Sequence, residues 1–113
     1  MHELSVAESI FRLAEEKILQ YPGKKPMKII LEIGTLAGID FEALDFALTS
    51  MVKRTLFDQT EIEIIKIQPQ ARCSDCGHEF IPVDYLANCP NCGNFKIDFI
   101  KGKELLIRSI ELE

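Results

Sequence analysis

Two Cys-x-x-Cys pairs constrain this chain more than any other feature of its sequence. The first pair is Cys73 and Cys76 and the second is Cys89 and Cys92; twelve residues separate the pairs, and a glycine follows each. Two thiolates three residues apart on a tight turn can point at one ion, and two such turns complete the tetrahedral sulfur shell that Zn²⁺ prefers. The spacing therefore predicts a structural zinc site with four cysteine ligands and no open position for catalysis.

Iron is the alternative metal, because four thiolates also suit a rubredoxin-like electron carrier. Only Phe80, Tyr85 and Phe95 could provide an aromatic shell around these cysteines, so zinc is the favoured interpretation. His78, two residues after Cys76, could replace a cysteine ligand, but we interpret it as a solvent-exposed residue of the turn.

The length and charge of the chain exclude several classes of protein. It has 113 residues, with 13 Lys and Arg against 18 Asp and Glu, which gives a net charge of −5. A chain of this size buries a limited core and benefits from a staple such as a metal. An acidic balance without a basic run argues against binding to nucleic acid or to an anionic membrane. The charged residues within the first twenty positions interrupt any secretory apolar segment, so we expect a cytoplasmic protein with reduced cysteines.

The apolar periodicity predicts two helices. The first has a stripe that begins at Leu4, and Ser5 with Glu8 fits a capping box, so we expect this helix to run from near Ser5 to about residue 20. The second is expected over residues 40–54, with Asp40 as its N-cap and basic residues in its last turn.

Three segments have strand-like composition, namely 27–33, 60–67 and 103–112. The first two flank the second helix, which predicts a parallel crossover, and the last strand most simply rejoins them. The fold class is therefore α+β: two helices packed on a small three-stranded mixed sheet, with an inserted zinc-ribbon subdomain. The domains are 1–68 with 103–113, and 69–102.

The N-terminal segment Met1-His2-Glu3 offers a second set of metal donors. A free terminal amine, the His2 backbone nitrogen and its imidazole can close small chelate rings, and Glu3 can add a carboxylate. Nitrogen-rich tetragonal geometry suits Ni²⁺ or Cu²⁺. Taken alone, however, a histidine at position 2 is more often an ordinary terminal residue.

Met-His-Glu-Leu-Ser at the start, the segment 34–40 after the first strand, and the two cysteine pairs before the last strand together resemble the HypA/HybF family of hydrogenase maturation nickel metallochaperones. The likeness extends over essentially the whole chain. It implies that Met1, His2 and Glu3 bind Ni(II) as cargo and that the cysteines hold structural Zn(II). Asp40 could also approach the nickel, but helix capping is the favoured role for it.

The resemblance also implies partners: a HypB-type GTPase and the large subunit of [NiFe] hydrogenase. We expect a monomer or a weak homo-oligomer. The sequence itself offers no nucleophile and base set, and residues 34–38 lack the Lys-Ser/Thr of a phosphate loop, so we expect no enzyme activity. The alternative function is a zinc-ribbon module that binds protein or nucleic acid without nickel.

Overall fold

The protein is described by a computed structural model that covers residues 2–53, 55–84 and 86–113. In chain order its elements are α1 (His2–Ile18), β1 (Pro26–Gly34), α2 (Phe41–Met51), β2 (Glu61–Ile67), β3 (Gln70–Cys73), β4 (Glu79–Phe80), β5 (Ile97–Lys101) and β6 (Leu105–Leu112). The strands form two three-stranded sheets, with the orders β2-β1-β6 and β4-β3-β5. The predicted α+β class is thereby confirmed.

Strands β1 and β2 run parallel, as the crossover through α2 predicts. At one end the Thr60 hydroxyl donates to the Pro26 carbonyl over 2.8 Å. Further along, the Lys28 ammonium lies between Glu61 and Glu63, at 3.3 and 3.0 Å. The partners advance in the same direction along both strands, which only a parallel pair allows.

Strand β6 returns to the other edge of β1 in the antiparallel direction. Lys25 and Glu113 exchange two backbone hydrogen bonds, of 3.0 and 2.9 Å. Nearer the other end of β1, Glu32 pairs with Arg108 at 3.5 Å. The sheet is therefore mixed, and the last strand rejoins the first two as predicted.

Helix α1 begins earlier than the sequence analysis predicts. It starts at His2 and not near Ser5, so Ser5 and Glu8 lie inside the helix and form no capping box at its start. Glu3 places a carboxylate in the first turn, where the helix dipole favours negative charge, and this supports the earlier start. Leu4 is 41 % exposed, while the buried face consists of Val6, Ala7, Ile10, Phe11, Ala14 and Ile18.

Helix α2 is shorter than predicted and ends at Met51. The Asp40 carboxylate accepts a hydrogen bond of 3.1 Å from the Ala43 backbone N–H, so its predicted N-cap role is confirmed. Lys53 lies beyond the helix, so the prediction of a basic last turn is wrong for this residue, whereas Arg54 falls outside the described residues. The buried face of the helix consists of Leu44, Ala47 and Leu48.

The chain divides into two compact units. Unit 1 comprises the residues up to Glu32, Ile39–Ile65 and Leu106–Glu113, and unit 2 comprises Ile33–Gly38 and Lys66–Leu105. Unit 2 thus extends beyond the predicted insertion 69–102, because backbone bonds join Thr35 to Ile67 and Leu36 to Gly102. Among the described residues, no helix has the length and apolar character needed to cross a bilayer.

Candidate functional site

The four cysteines of unit 2 form a single cluster, which we call the cysteine cage. Their sulfur atoms all lie within 4.8 Å of one another. The cage is assembled from two turns, the first knuckle (residues 73–76) and the second knuckle (residues 89–92). Each knuckle contributes one buried and one exposed cysteine: Cys73 and Cys89 are buried, whereas Cys76 and Cys92 are exposed.

Backbone hydrogen bonds shape each knuckle in the same way. In the first, Gly77 N–H donates to the Cys73 carbonyl over 2.9 Å, and in the second, Gly93 N–H donates to the Cys89 carbonyl over 2.8 Å. Both glycines have positive φ, of 76° and 79°, which an L side chain adopts at a cost. The glycine after each pair therefore lets the chain turn back so that both sulfurs face the same point.

The sulfur spacing fits a zinc ion. A tetrahedral Zn²⁺ with bonds of about 2.3 Å places its sulfur ligands about 3.8 Å apart. The Cys73–Cys92 and Cys76–Cys89 sulfur pairs are each 3.6 Å apart, and each pair joins the two knuckles. The cage therefore has the ligand type, number and spacing of a closed structural zinc site.

The pKa shifts of the thiols indicate that this cluster requires a cation. The backbone N–H of His78 and the Asn91 amide lower the pKa of Cys76 to about 6. For Cys92, the Asn94 backbone N–H acts in the same direction, but desolvation and the three neighbouring sulfurs outweigh it and raise the pKa of the thiol to about 12. Four sulfurs at this spacing do not all ionise near neutral pH without a positive charge between them.

His78 is exposed and is not part of the sulfur cluster. Its ring stacks on Phe80, with 6.1 Å between centroids. The interpretation of this histidine as an exposed residue of the turn is thereby confirmed.

The second predicted site lies at the start of α1, within unit 1. Met1 falls outside the described residues, whereas His2 is exposed in the first turn. The Glu3 carboxylate accepts a 3.0 Å hydrogen bond from the backbone N–H of Asp40. This bond is the main reason why the pKa of Glu3 is lowered from its usual value. Glu3 is therefore anionic at neutral pH and stands beside the Asp40 backbone, thirty-seven positions away in the sequence.

Sequence reasoning missed three polar residues around the cage. The Asn91 amide donates to the Cys76 sulfur over 3.6 Å, and the Asn94 amide donates to the Asp75 carboxylate. Asparagine is common in turns, so its presence in a knuckle carries no signal of such contacts. The only available indication was that Asp75 and Asn91 occupy the variable positions inside the two Cys-x-x-Cys pairs.

An α+β body with a closed sulfur cage defines a metalloprotein in which a resident metal supports the fold. Residues 1–112 match the sequence model of the family described as hydrogenase/urease nickel incorporation, metallochaperone, HypA. A hydrogenase maturation factor HypA from Francisella philomiragia is 40 % identical over 110 residues, which is 97 % of each chain.

Two solved structures have a fold similar to that of this chain. A solution structure of a HypA protein aligns over 100 % of this chain and 97 % of its own, with a TM-score of 0.73 and 25 % identity. The solution structure of the nickel metallochaperone HypA from Helicobacter pylori shares the fold, with a TM-score of 0.70 and 23 % identity over 97 % of this chain and 96 % of its own. The present chain belongs to the HypA family of hydrogenase maturation nickel metallochaperones.

Proposed function

We propose that this chain takes up Ni²⁺ at its N-terminal segment and delivers it for the maturation of [NiFe] hydrogenase. The observation that carries the proposal is the bond from the Asp40 backbone N–H to the Glu3 carboxylate, in a member of a nickel metallochaperone family. This bond holds the segment that contains His2 and Glu3 against the start of α2. The nitrogen and carboxylate donors of the N-terminal segment differ in chemistry from the sulfur ligands of the cysteine cage, so one chain can hold two metals.

Each nickel donor follows from the position of the segment at the start of α1. The first backbone N–H groups of a helix have no intrahelical acceptor, so the His2 nitrogen is available to the metal. The terminal amine of Met1 and the His2 imidazole complete three nitrogen donors, which suits Ni²⁺. The Glu3 carboxylate is held at its Oε2 by the Asp40 N–H, and we assign this carboxylate as the oxygen donor.

Charge also favours Glu3 as a ligand. A cation at a helix N-terminus meets the positive end of the dipole, and an anionic side chain in the first turn offsets this repulsion. Asp40 is the competing carboxylate, but its Oδ1 caps α2 by accepting from Ala43 N–H. We therefore assign Met1, His2 and Glu3 as the nickel ligands and Asp40 as the residue that holds Glu3 in place.

We assign structural Zn²⁺ to the cysteine cage. Its ligands are Cys73, Cys76, Cys89 and Cys92. The metal supplies two positive charges among four sulfurs and cross-links the two knuckles, and it carries no reaction.

The partners are those of a delivery protein in the cytoplasm, namely a HypB-type GTPase and the large subunit of [NiFe] hydrogenase. The turn at residues 34–38 has no Lys-Ser/Thr for a nucleotide phosphate, so GTP hydrolysis belongs to the partner. The chain itself acts without catalysis, as a monomer or a weak homo-oligomer.

A nickel titration of untagged protein tests the proposal. His2→Ala and a chain with one extra residue before Met1 should each weaken Ni²⁺ binding by at least about tenfold, since each removes or displaces a ligand. His78→Ala is the matched control and should bind as the wild type does. Acidification should also weaken binding, because the imidazole and the amine must lose protons to coordinate.

Equal nickel affinity in the wild type, His2→Ala and the extended chain would contradict the N-terminal site. The remaining interpretation would then be a zinc-ribbon adaptor, for which His2 is dispensable.

A further inference from the structure

The two knuckles are joined by side-chain amides as well as by sulfur. Asn91 of the second knuckle donates its Nδ2 to the Cys76 sulfur of the first, over 3.6 Å. Asn94, two residues beyond the second knuckle, donates its Nδ2 to the Asp75 carboxylate. Both bonds end on the first knuckle, and their acceptors, Asp75 and Cys76, are neighbours in sequence.

The Asn94 amide is oriented by a further bond. Its Oδ1 accepts from the Lys96 backbone N–H over 2.8 Å, so its Nδ2 is left to face Asp75. The Lys96 carbonyl in turn accepts from Ser74, through both the backbone N–H and the hydroxyl, at 2.9 Å each. Asn94 therefore belongs to a small hydrogen-bond network that connects Ser74 of the first knuckle to Lys96, the residue directly before β5.

These bonds lie at the accessible side of the cage. Cys76 and Cys92 are exposed, whereas Cys73 and Cys89 are buried. A closed zinc site loses its metal when one ligand dissociates and a competing ligand or a proton replaces it. The exposed sulfurs are the most accessible to such a competitor. Cys76 is the exposed sulfur that Asn91 holds directly, and the residue before it is held by Asn94.

We propose that Asn91 and Asn94 are positioning residues of the cysteine cage, which slow the opening of the first knuckle and thus the release of the resident metal. They touch a ligand or its neighbour and not the metal. The inference rests on the proposed zinc site. Hydrogen bonds from residues around a metal's ligands commonly change metal affinity by about 10–100-fold.

The test uses the full chain loaded with one Zn²⁺, as verified by native mass spectrometry. The rate of zinc transfer to an excess of the chromophoric chelator 4-(2-pyridylazo)resorcinol is then measured. Asn91→Ala and Asn94→Ala should each speed transfer by about tenfold. Asn88→Ala, an exposed asparagine next to the second knuckle, is the matched control and should stay within about twofold of the wild type.

Pairs of variants distinguish a specific effect of the Asn91 and Asn94 hydrogen bonds from a general destabilisation of unit 2. Asp75→Ala and Asn94→Ala both remove the Asn94–Asp75 bond, and Asn94→Ala also removes the bond from the Lys96 backbone N–H, so the double variant should release zinc no faster than Asn94→Ala alone. Asn91→Ala and Asn94→Ala remove different bonds, so their effects should multiply. Asp75→Asn retains an oxygen acceptor and should stay closer to the wild type than Asp75→Ala does.

Two different results would overturn the inference. If all variants bind one zinc and release it at the rate of Asn88→Ala, the positioning role of Asn91 and Asn94 is wrong while the zinc site stands. If the wild-type chain takes up no zinc, the zinc assignment and the positioning role both fail.

Discussion

Unit 1 and unit 2 differ in what they bury. Unit 1 buries large apolar side chains from both helices and the sheet, among them Ile29, Leu31, Leu44 and Leu48, each at most 2 % exposed. Within the described residues of unit 2, the buried hydrophobic side chains are Ile33, Ala71, Cys73 and Cys89. Two of those four are cysteines of the cage.

This contrast indicates two sources of stability within one short chain. Apolar burial stabilises unit 1 in the ordinary way, since each buried aliphatic side chain contributes about 1.5–3 kcal/mol. Unit 2 offers too little apolar burial to offset the conformational entropy of ordering its residues. We therefore expect a bound metal to supply the missing free energy, so that the folding of unit 2 depends on it.

The largest expected effect is that of removing the metal. Chelation of zinc, or Cys89→Ser, should unfold unit 2 and leave α1 and α2 folded, because structural zinc contributes about 10–16 kcal/mol in small metal-dependent folds. Residue-resolved amide hydrogen exchange would show loss of protection in β3, β4 and β5, while α1 and α2 stay protected. Full protection of unit 2 in zinc-free protein would remove the contrast between the units.

The corresponding prediction for unit 1 is a substitution in its apolar core. Leu44 is 0 % exposed, and Leu44→Ala should lower the free energy of unfolding by about 2–5 kcal/mol through lost burial and a cavity. Urea denaturation followed by circular dichroism measures this loss, while zinc stoichiometry should stay at one. Leu19→Ala, at a site 71 % exposed, is the control and should change stability by less than about 0.5 kcal/mol.

A smaller effect is expected at a close backbone contact in unit 2. A Cβ at Gly34 would lie 2.0 Å from the carbonyl carbon and oxygen of Gly102, so Gly34→Ala requires the backbone to move. We expect it to destabilise the protein by about 3 kcal/mol. Gly38→Ala, with open space but a φ of +77°, should cost only about 1 kcal/mol. Equal urea midpoints for the two variants would show that this contact adds nothing to unit 2.

The smallest expected effect concerns pH and the Glu3 contact in unit 1. The pKa of Glu3 is lowered in the folded chain by the Asp40 backbone N–H, so its contribution to stability is present above the usual value of 4.5 and is lost as the pH falls through the lowered pKa. Glu3→Gln should therefore reduce the loss of stability below pH 4.5, as urea midpoints would show. Glu8→Gln, on the same helix, is the control. A difference between Glu3→Gln and wild type that stays constant with pH would argue against this ionic contact.

Much of the fold was predictable because it follows from local patterns. The β1 segment, the Asp40 cap and the return of the last strand to β1 were all predicted correctly. The start of α1 was wrong, because a capping-box pattern at Ser5 and Glu8 cannot show that the helix already begins at His2. Leu4 begins the predicted apolar stripe yet is 41 % exposed, since helical spacing does not reveal which neighbours cover a face.

The spacing of the cysteines by itself determined that four sulfurs could share one ion, because a knuckle is a local turn whose shape depends on a few adjacent residues and a following glycine. Only the tertiary structure decided that Glu3 meets Asp40 and that Asn94 meets Asp75. Such contacts join residues far apart in the chain through side chains that are common on any surface. Their partners are chosen by how the strands and helices pack, and no local pattern of residues encodes that choice.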